Sequence, residues 1–279
     1  MEKRLSSEII STCTRASEPP QVRAEVYLTV IIPAYNEAAR IPSTLWQVLS
    51  YLESLGKSYE VVVVDDGSTD NTVEEVEKIC REATGVRLVR NPGNCGKGFA
   101  VRNGMMNARG EYILFSDADL SAPIAEAEQL LKPLENGCDI VIGSRALKRE
   151  WIGVHQSRFR ESAGKLFNLF IRCLTGLNFH DTQCGFKAFR RQAAAAIFAL
   201  QRIPGFGFDV ETLYIARKLG LRALEIPVHW DHSAASKVHP LRDGTRMALD
   251  VLKIYWNDWR GRYQGKKSGD RRGTCKIRD

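Results

Sequence analysis

Asp117 and Asp119 flank one small residue at the end of a hydrophobic run, Tyr112 to Ser116. At that spacing after a strand, both carboxylates can converge on one hard divalent cation such as Mg²⁺ or Mn²⁺, leaving coordination positions for diphosphate oxygens. The chemistry suggested is the handling of a metal-bound nucleoside diphosphate. Taken alone, the pair fits two solvated loop acids equally well. A second acidic pair, Asp65 and Asp66, ends the run Glu60 to Val64 and leads into Gly67-Ser68. It fits a ligand edge or a plain strand-to-helix turn with Asp70 as cap. Between Arg145 and Arg172 seven bases (Arg145, Lys148, Arg149, Arg158, Arg160, Lys165, Arg172) stand against Glu150 and Glu161. That cluster reads as a solvated basic face or as a phosphate site, since arginine's planar fork matches phosphate oxygens. His229 and His232 lie on a strand-like stretch, where their spacing points them to opposite faces, so no zinc site is expected from them.

These residues need a scaffold, and the apolar pattern supplies one. Val26 to Pro33 and Glu60 to Val64 read as strands buried on both faces. Leu45, Val48, Leu49 and Leu52 make Ile41 to Leu55 an amphipathic helix closed by Gly56. A helix with Val73, Val76 and Cys80 on one face starts near Asp70 or Asn71. The strand Val86 to Arg90 leads into a glycine-rich loop, Asn91 to Gly98, which runs into another helix. Tyr112 to Ser116 is a fourth strand, Pro123 opens a helix, and Asp139 to Gly143 adds a further strand. Strands alternating with helices predict an α/β fold, a Rossmann-like, doubly wound, mainly parallel sheet with helices on both faces. The acidic pairs follow strand C-termini, the edge where such sheets bind ligands.

Taken in order, PAYNE (Pro33 to Glu37), VDDGSTD (Val64 to Asp70), NPGNCGKGFAVRNG (Asn91 to Gly104) and SDADLS (Ser116 to Ser121) resemble glycosyltransferase family 2 and its GT-A fold. Further on, GSR (Gly143 to Arg145), DTQCGFKAF (Asp181 to Phe189), GFDVETLYIA (Gly207 to Ala216), IPVHW (Ile226 to Trp230) and Ser236-Lys237 resemble the dolichyl-phosphate β-glucosyltransferase branch. The resemblance implies an inverting transfer of glucose from UDP-glucose to a polyprenyl phosphate of dolichyl type, assisted by Mg²⁺ or Mn²⁺. It places Pro33, Tyr35 and Glu37 against the uridine, although Glu37 also fits a helix cap. Asp65 falls at the base or ribose, with Asp66, Lys97 and Gly98 among the nucleotide-sugar contacts. Asp117 would approach ribose and metal, and Asp119 would be the principal metal ligand. Ser121 stands where related mannosyltransferases often carry Gln, which leaves a third protein ligand unassigned. Arg145, Arg158 and Ser162, with Lys187, match acceptor-phosphate binders. Asp181 would face the sugar or cap a turn. Asp209 corresponds to the base of hydroxyl-accepting relatives, or braces the site together with Glu211. A phosphate monoester, with a second pKa of about 6, is already largely dianionic at neutral pH and needs no such base. A hydroxyl acceptor, a glycan or lipid, would need it.

The chain has 279 residues, 44% hydrophobic and 26% charged, the profile of an ordinary globular protein. Its net charge of +7 invites a nucleic-acid reading. Residues 260–279, however, hold eight bases against two acids, so the tail carries most of the excess and the remainder is nearly neutral. Nothing else resembles a nucleic-acid module, and no nucleic-acid partner is expected. Seven scattered cysteines without a CxxC argue against a disulfide framework or a thiolate zinc site, and Cys184 is expected to be packed. The expected organisation is a flexible leader (1–25), a catalytic domain (26–260) with a donor half (26–143) and an acceptor half (144–260), and a disordered basic tail (261–279). Apolar runs are too short to span a bilayer and the leader lacks an apolar core. The expected location is therefore cytoplasmic, peripheral on a membrane's cytoplasmic face. Met247, Val251, Leu252, Ile254, Tyr255, Trp256 and Trp259 form an apolar arc on a helix spanning about 244–260. That helix either packs on the core or lies at an anionic membrane surface.

Overall fold

The computed structural model describes residues 26–151, 171–172, 174–231 and 240–264. Arg158, Ser162, Ser236, Lys237, His232, the leader and residues 265–279 lie outside the described residues. In chain order the elements are β1 (Leu28–Ala34), α1 (Ile41–Leu55), β2 (Tyr59–Asp65), α2 (Thr72–Glu82), β3 (Val86–Arg90), α3 (Lys97–Asn107) and β4 (Tyr112–Ser116). A 3-10 turn, Ile124–Glu126, leads into α4 (Ala127–Glu135) and β5 (Ile140–Ser144). Then come β6 (Phe186–Arg190), α5 (Arg191–Leu200), α6 (Phe208–Lys218), β7 (Ala223–Pro227) and α7 (Pro240–Trp259).

The sheet has seven strands in the order β3-β2-β1-β4-β6-β5-β7. The pairs β1 with β2, β1 with β4, β2 with β3 and β5 with β7 are parallel, whereas β6 runs antiparallel between β4 and β5. The sheet is thus mainly parallel, as expected, but β6 was not among the expected strands. Its sequence, FKAFR, is short and carries a lysine, so it lacks the aliphatic run that marks β1 and β2. Its insertion interleaves strands from before and after residue 144 in one sheet.

Side chains alternating along β1 divide the core. Leu28, Val30 and Ile32 face α1, α2 and α4, while Ile31 faces α3, α5, α6 and α7. Both faces are therefore covered, and each buried Leu, Ile or Val contributes roughly 1.5–3 kcal/mol. Gly56 ends α1 in the left-handed conformation at φ 63°, as its position implies. Helix α7 divides its apolar residues: Val251 and Ile254 are buried, whereas Leu249, Leu252, Trp256 and Trp259 face outward. Among the described cysteines Cys80, Cys95 and Cys184 are free and Cys138 is disulfide-bonded. A disulfide thus forms at Cys138, although the scattered cysteines argue against a disulfide framework.

Candidate active site

The register that aligns Ala34 with Asp65 brings the ends of β1 and β2 to one edge. Tyr35 stands half-exposed there, and Asp65 is buried and accepts the Ser68 N–H at 3.1 Å. Asn36 adopts a left-handed φ of 54°, and its side-chain oxygen accepts the Thr69 N–H at 2.8 Å, locking the PAYNE turn onto the VDDGSTD turn. Glu37 pairs with Arg40 at 2.5 Å. Asp66 is fully engaged within the protein. Its carboxylate accepts from the Asn91 side chain at 2.7 Å and from the N–H groups of Cys95 and Gly96 at 3.0 and 2.8 Å. Asp66 thus holds the glycine-rich loop, a bracing position rather than an open ligand.

That loop presents Lys97 at the first turn of α3. Its ammonium lies 2.6 Å from Asp117 and near the rings of Phe115 and Phe206. Burial alone would discharge it, but Asp117 and Asp209 outweigh burial and raise its pKa, so Lys97 stays a cation. Gly98 is a packing requirement, because a Cβ there would sit 2.5 Å from the Ile203 carbonyl oxygen. Asp119 accepts the Ser121 N–H at 3.0 Å and lines a cleft of about 440 Å³ with Arg40, Ser43, Thr44, Gln47 and Leu120. The Thr44 hydroxyl donates to the Ala118 carbonyl at 2.6 Å, fixing the turn between the two aspartates to α1. Among the described residues no group of three or more acids, cysteines or histidines forms a self-sufficient metal cage. The Asp119 carboxylate beside an open cleft, with Asp117 two positions before it, supplies the hard oxygen donors that suit Mg²⁺ or Mn²⁺, the rest of the shell coming from ligand and water oxygens.

Arg145 follows β5 and grips Asp181 with two side-chain hydrogen bonds, Nε at 2.6 Å and Nη2 at 2.8 Å, its backbone N–H adding a third at 3.1 Å. Its guanidinium lies 4.9 Å from the Trp230 ring centroid. Burial works to raise the Asp181 pKa, yet the Arg145 contacts prevail and lower it. Glu225 on β7 sets this carboxylate's position by accepting the N–H groups of His180 and Asp181, both at 2.8 Å. Lys187, expected on the acceptor phosphate, is instead only 1% exposed, and its ammonium binds Asp209 and the Cys184 carbonyl, each at 2.5 Å. The reason is its place on β6, in the middle of the sheet. Asp209 is buried beside it, and burial raises its pKa despite Lys187 and Lys97. Burial also pushes the Cys184 thiol up to about 12, in keeping with a packed cysteine. His229 stacks on Trp151 and pairs with Glu126 at 2.7 Å.

Two positioning residues escaped the sequence reading. Gly185 lies against Asp117, since a Cβ at 185 would come within 2.0 Å of Asp117 Oδ2. Its signal was a glycine inside the DTQCGFK motif. Glu225 had a signal as well, an acid among apolar residues of a strand. The structure thus gathers Lys97, Asp117, Arg145, Asp181, Lys187 and Asp209 into one network. Tyr35, Glu37 and Asp65 occupy the neighbouring strand edge.

Residues 29–198 match the model of Glycosyl transferase family 2. Curated relatives include the dolichyl-phosphate β-glucosyltransferase of Homo sapiens, 39% identical over 81% of this chain and 74% of that protein. The enzyme of the same name from Dictyostelium discoideum is 36% identical over 82% and 74%, and that from Saccharomyces cerevisiae 35% identical over 87% and 78%. Among solved structures, glucosyl-3-phosphoglycerate synthase from Mycobacterium tuberculosis with Mn²⁺, UDP and phosphoglyceric acid superposes at a TM-score of 0.61, covering 88% of this chain and 81% of its own. Its identity is 22%, so the likeness is one of fold, the GT-A-like arrangement. With the family match extending over more than half of its length, and relatives this similar over four-fifths of it, the chain belongs to glycosyl transferase family 2 and is a glycosyltransferase.

Proposed function

We propose that the enzyme transfers glucose from UDP-glucose to a polyprenyl phosphate of dolichyl type, with inversion, at the cytoplasmic face of a membrane. The names of the curated relatives support the sugar and the lipid, and a fold neighbour crystallised with Mn²⁺ and UDP-glucose supports the donor. The observation that carries the acceptor class is the state of the two acids on the acceptor side. Asp181 is held by Arg145 and Asp209 by Lys187, so each is committed to a cation. Neither stands ready to take a hydroxyl proton. A phosphate dianion needs no base, and it needs cationic donors, which the Arg145 N–H groups not bound to Asp181 would offer.

In this reading Tyr35 and Asp65 receive the uridine, and Lys97 lies where diphosphate charge accumulates. Asp117 and Asp119 would hold the divalent metal, which when bound supplies electrostatic stabilisation to the UDP leaving group. Lys97 reinforces it from the protein, already oriented by Asp117 and shielded by Phe115 and Phe206. Arg145 orients the acceptor phosphate, with Asp181 fixing the guanidinium plane and Trp230 covering its face. Arg158 and Ser162 remain proposed partners for that phosphate by their place in the motif. Lys187 supports Asp209 rather than the phosphate. Among the described residues no helix is long and apolar enough to cross a membrane. Contact with the lipid is proposed to be peripheral. The Asp209→Asn variant tests the acceptor class: a phosphate acceptor predicts partial loss of turnover, whereas abolition with the fold intact means that Asp209 is a base for a hydroxyl.

A further inference from the structure

Helix α7 has two faces with different partners. Leu249, Leu252, Trp256 and Trp259, spaced three, four and three apart, form one outward stripe, with Trp259 78% and Trp256 53% exposed. The two indole rings lie 5.2 Å apart, and Arg260 stacks over Trp256 at 5.0 Å. Exposed Arg246, Lys253 and Arg260 border the stripe on the same side of the helix. Apolar side chains ending in tryptophan and edged by cations match the boundary of an anionic bilayer. A second copy packed stripe against stripe would bring these cations face to face. The sequence continues the sign with Lys266, Lys267, Arg271, Arg272, Lys276 and Arg278.

The inner side leads to the donor loop. Tyr263, just beyond α7, is 2% exposed and donates its hydroxyl to Glu211 at 2.5 Å. Glu211, fully buried on α6, accepts the N–H groups of Arg202 at 3.0 Å and Ile203 at 2.7 Å. The next carbonyl, Pro204, accepts the Phe99 N–H at 3.1 Å. It also lies 2.6 Å from where a Gly96 Cβ would be. These contacts hold Gly96 and Phe99, the positions on either side of the Lys97-Gly98 pair. Asp250 of α7 backs the same segment, packed so closely on Gly207 that a Cβ there would be 2.5 Å from its own Cβ.

We propose that α7 docks the enzyme on an anionic lipid surface through Leu249, Leu252, Trp256 and Trp259, and that Tyr263 and Glu211 link this docking to the loop that presents Lys97. The proposal rests on the reading of a lipid-borne acceptor and names the surface that would deliver it. Docking then favours the donor-binding arrangement of the loop, and donor binding favours docking by the same factor.

The test uses the full chain, phosphatidylcholine vesicles with or without phosphatidylglycerol, and UDP with Mg²⁺, with no polyprenyl phosphate present. Docking can therefore fail while sugar transfer stands, and the reverse. Expected are vesicle sedimentation and a tryptophan blue shift only with the anionic lipid, and tighter UDP binding in its presence. The double variant Trp256→Ser with Trp259→Ser, both exposed, should bind anionic vesicles about tenfold more weakly or worse. Unchanged vesicle binding by that variant overturns the docking face, as does a change in oligomeric state alone. Tyr263→Phe should keep vesicle binding and lose about tenfold in UDP affinity, the scale of a hydrogen bond to a buried carboxylate. Equal UDP affinity of the wild-type protein with and without anionic vesicles overturns the coupling, whether or not Tyr263→Phe folds.

Discussion

Replacing Gly185 with alanine adds one methyl group at the junction between the acceptor-side segment and Asp117. Built on the existing backbone, the new Cβ would lie 2.0 Å from Asp117 Oδ2 and 2.5 Å from its Cγ. Real carbon contacts do not fall below about 3 Å, so the carboxylate must move by about 1 Å or more. Because a side-chain tip can rotate away, the fold should survive and the thermal midpoint should stay within a few degrees. The ion pair with Lys97 at 2.6 Å, and with it the orientation toward the metal proposed to be shared with Asp119, would not survive. A misplacement of about 1 Å at a reacting centre costs about a hundredfold in rate, near 2.7 kcal/mol. Steady-state kinetics with varied UDP-glucose, together with UDP affinity measured in Mg²⁺, should show kcat/KM falling by about that factor while the protein stays folded. Gly185→Ala with wild-type kcat/KM would refute the claim that Gly185 sets the position of Asp117.

Other consequences concern the ion pairs and the buried thiol. Asp181 has a lowered pKa in the folded protein, so its pairing adds stability that is present above the unfolded value near 4 and disappears as pH falls through the lower folded value. Asp181→Asn should therefore lower stability at pH 7 and flatten the acid limb of the unfolding profile; an unchanged limb would contradict the assignment. Lys187→Met leaves Asp209 buried without its cation and should cost about 3–5 kcal/mol in chemical denaturation. The double variant Lys187→Met with Asp209→Asn should regain part of that loss, and strict additivity would disprove the pairing. With its thiol raised to about 12 and fully buried, Cys184 should resist iodoacetamide at pH 8 in the folded protein, while half-buried Cys95 reacts; mass spectrometry of the peptides decides.

The donor side was legible because its signals are local. Runs such as Val61 to Val64 ending in two aspartates announce a buried parallel strand and the polar edge beyond it, and Gly56 and Pro123 mark boundaries through fixed backbone preferences. What stayed hidden depends on contacts distant in sequence. Asp65 and Asp66 look alike in the chain, yet Asp66 is absorbed by Asn91, Cys95 and Gly96 some 25 to 30 positions away. Lys187 read as a phosphate cation because its partner, Asp209, comes from α6 and its burial from an antiparallel strand that no pattern announced. The apolar arc of the last helix was visible, but only packing separates inward Val251 and Ile254 from outward Trp256 and Trp259.

Sugar transfer onto a lipid phosphate is measured by incubating the protein with glucose-labelled UDP-glucose, Mg²⁺ and polyprenyl phosphate and counting label in the organic phase, with Asp119→Ala in parallel. Label is expected in the lipid fraction for the wild-type enzyme and is expected to be lost in Asp119→Ala. Label confined to the aqueous phase while UDP still binds would contradict the acceptor, and undiminished transfer by Asp119→Ala would contradict the metal site.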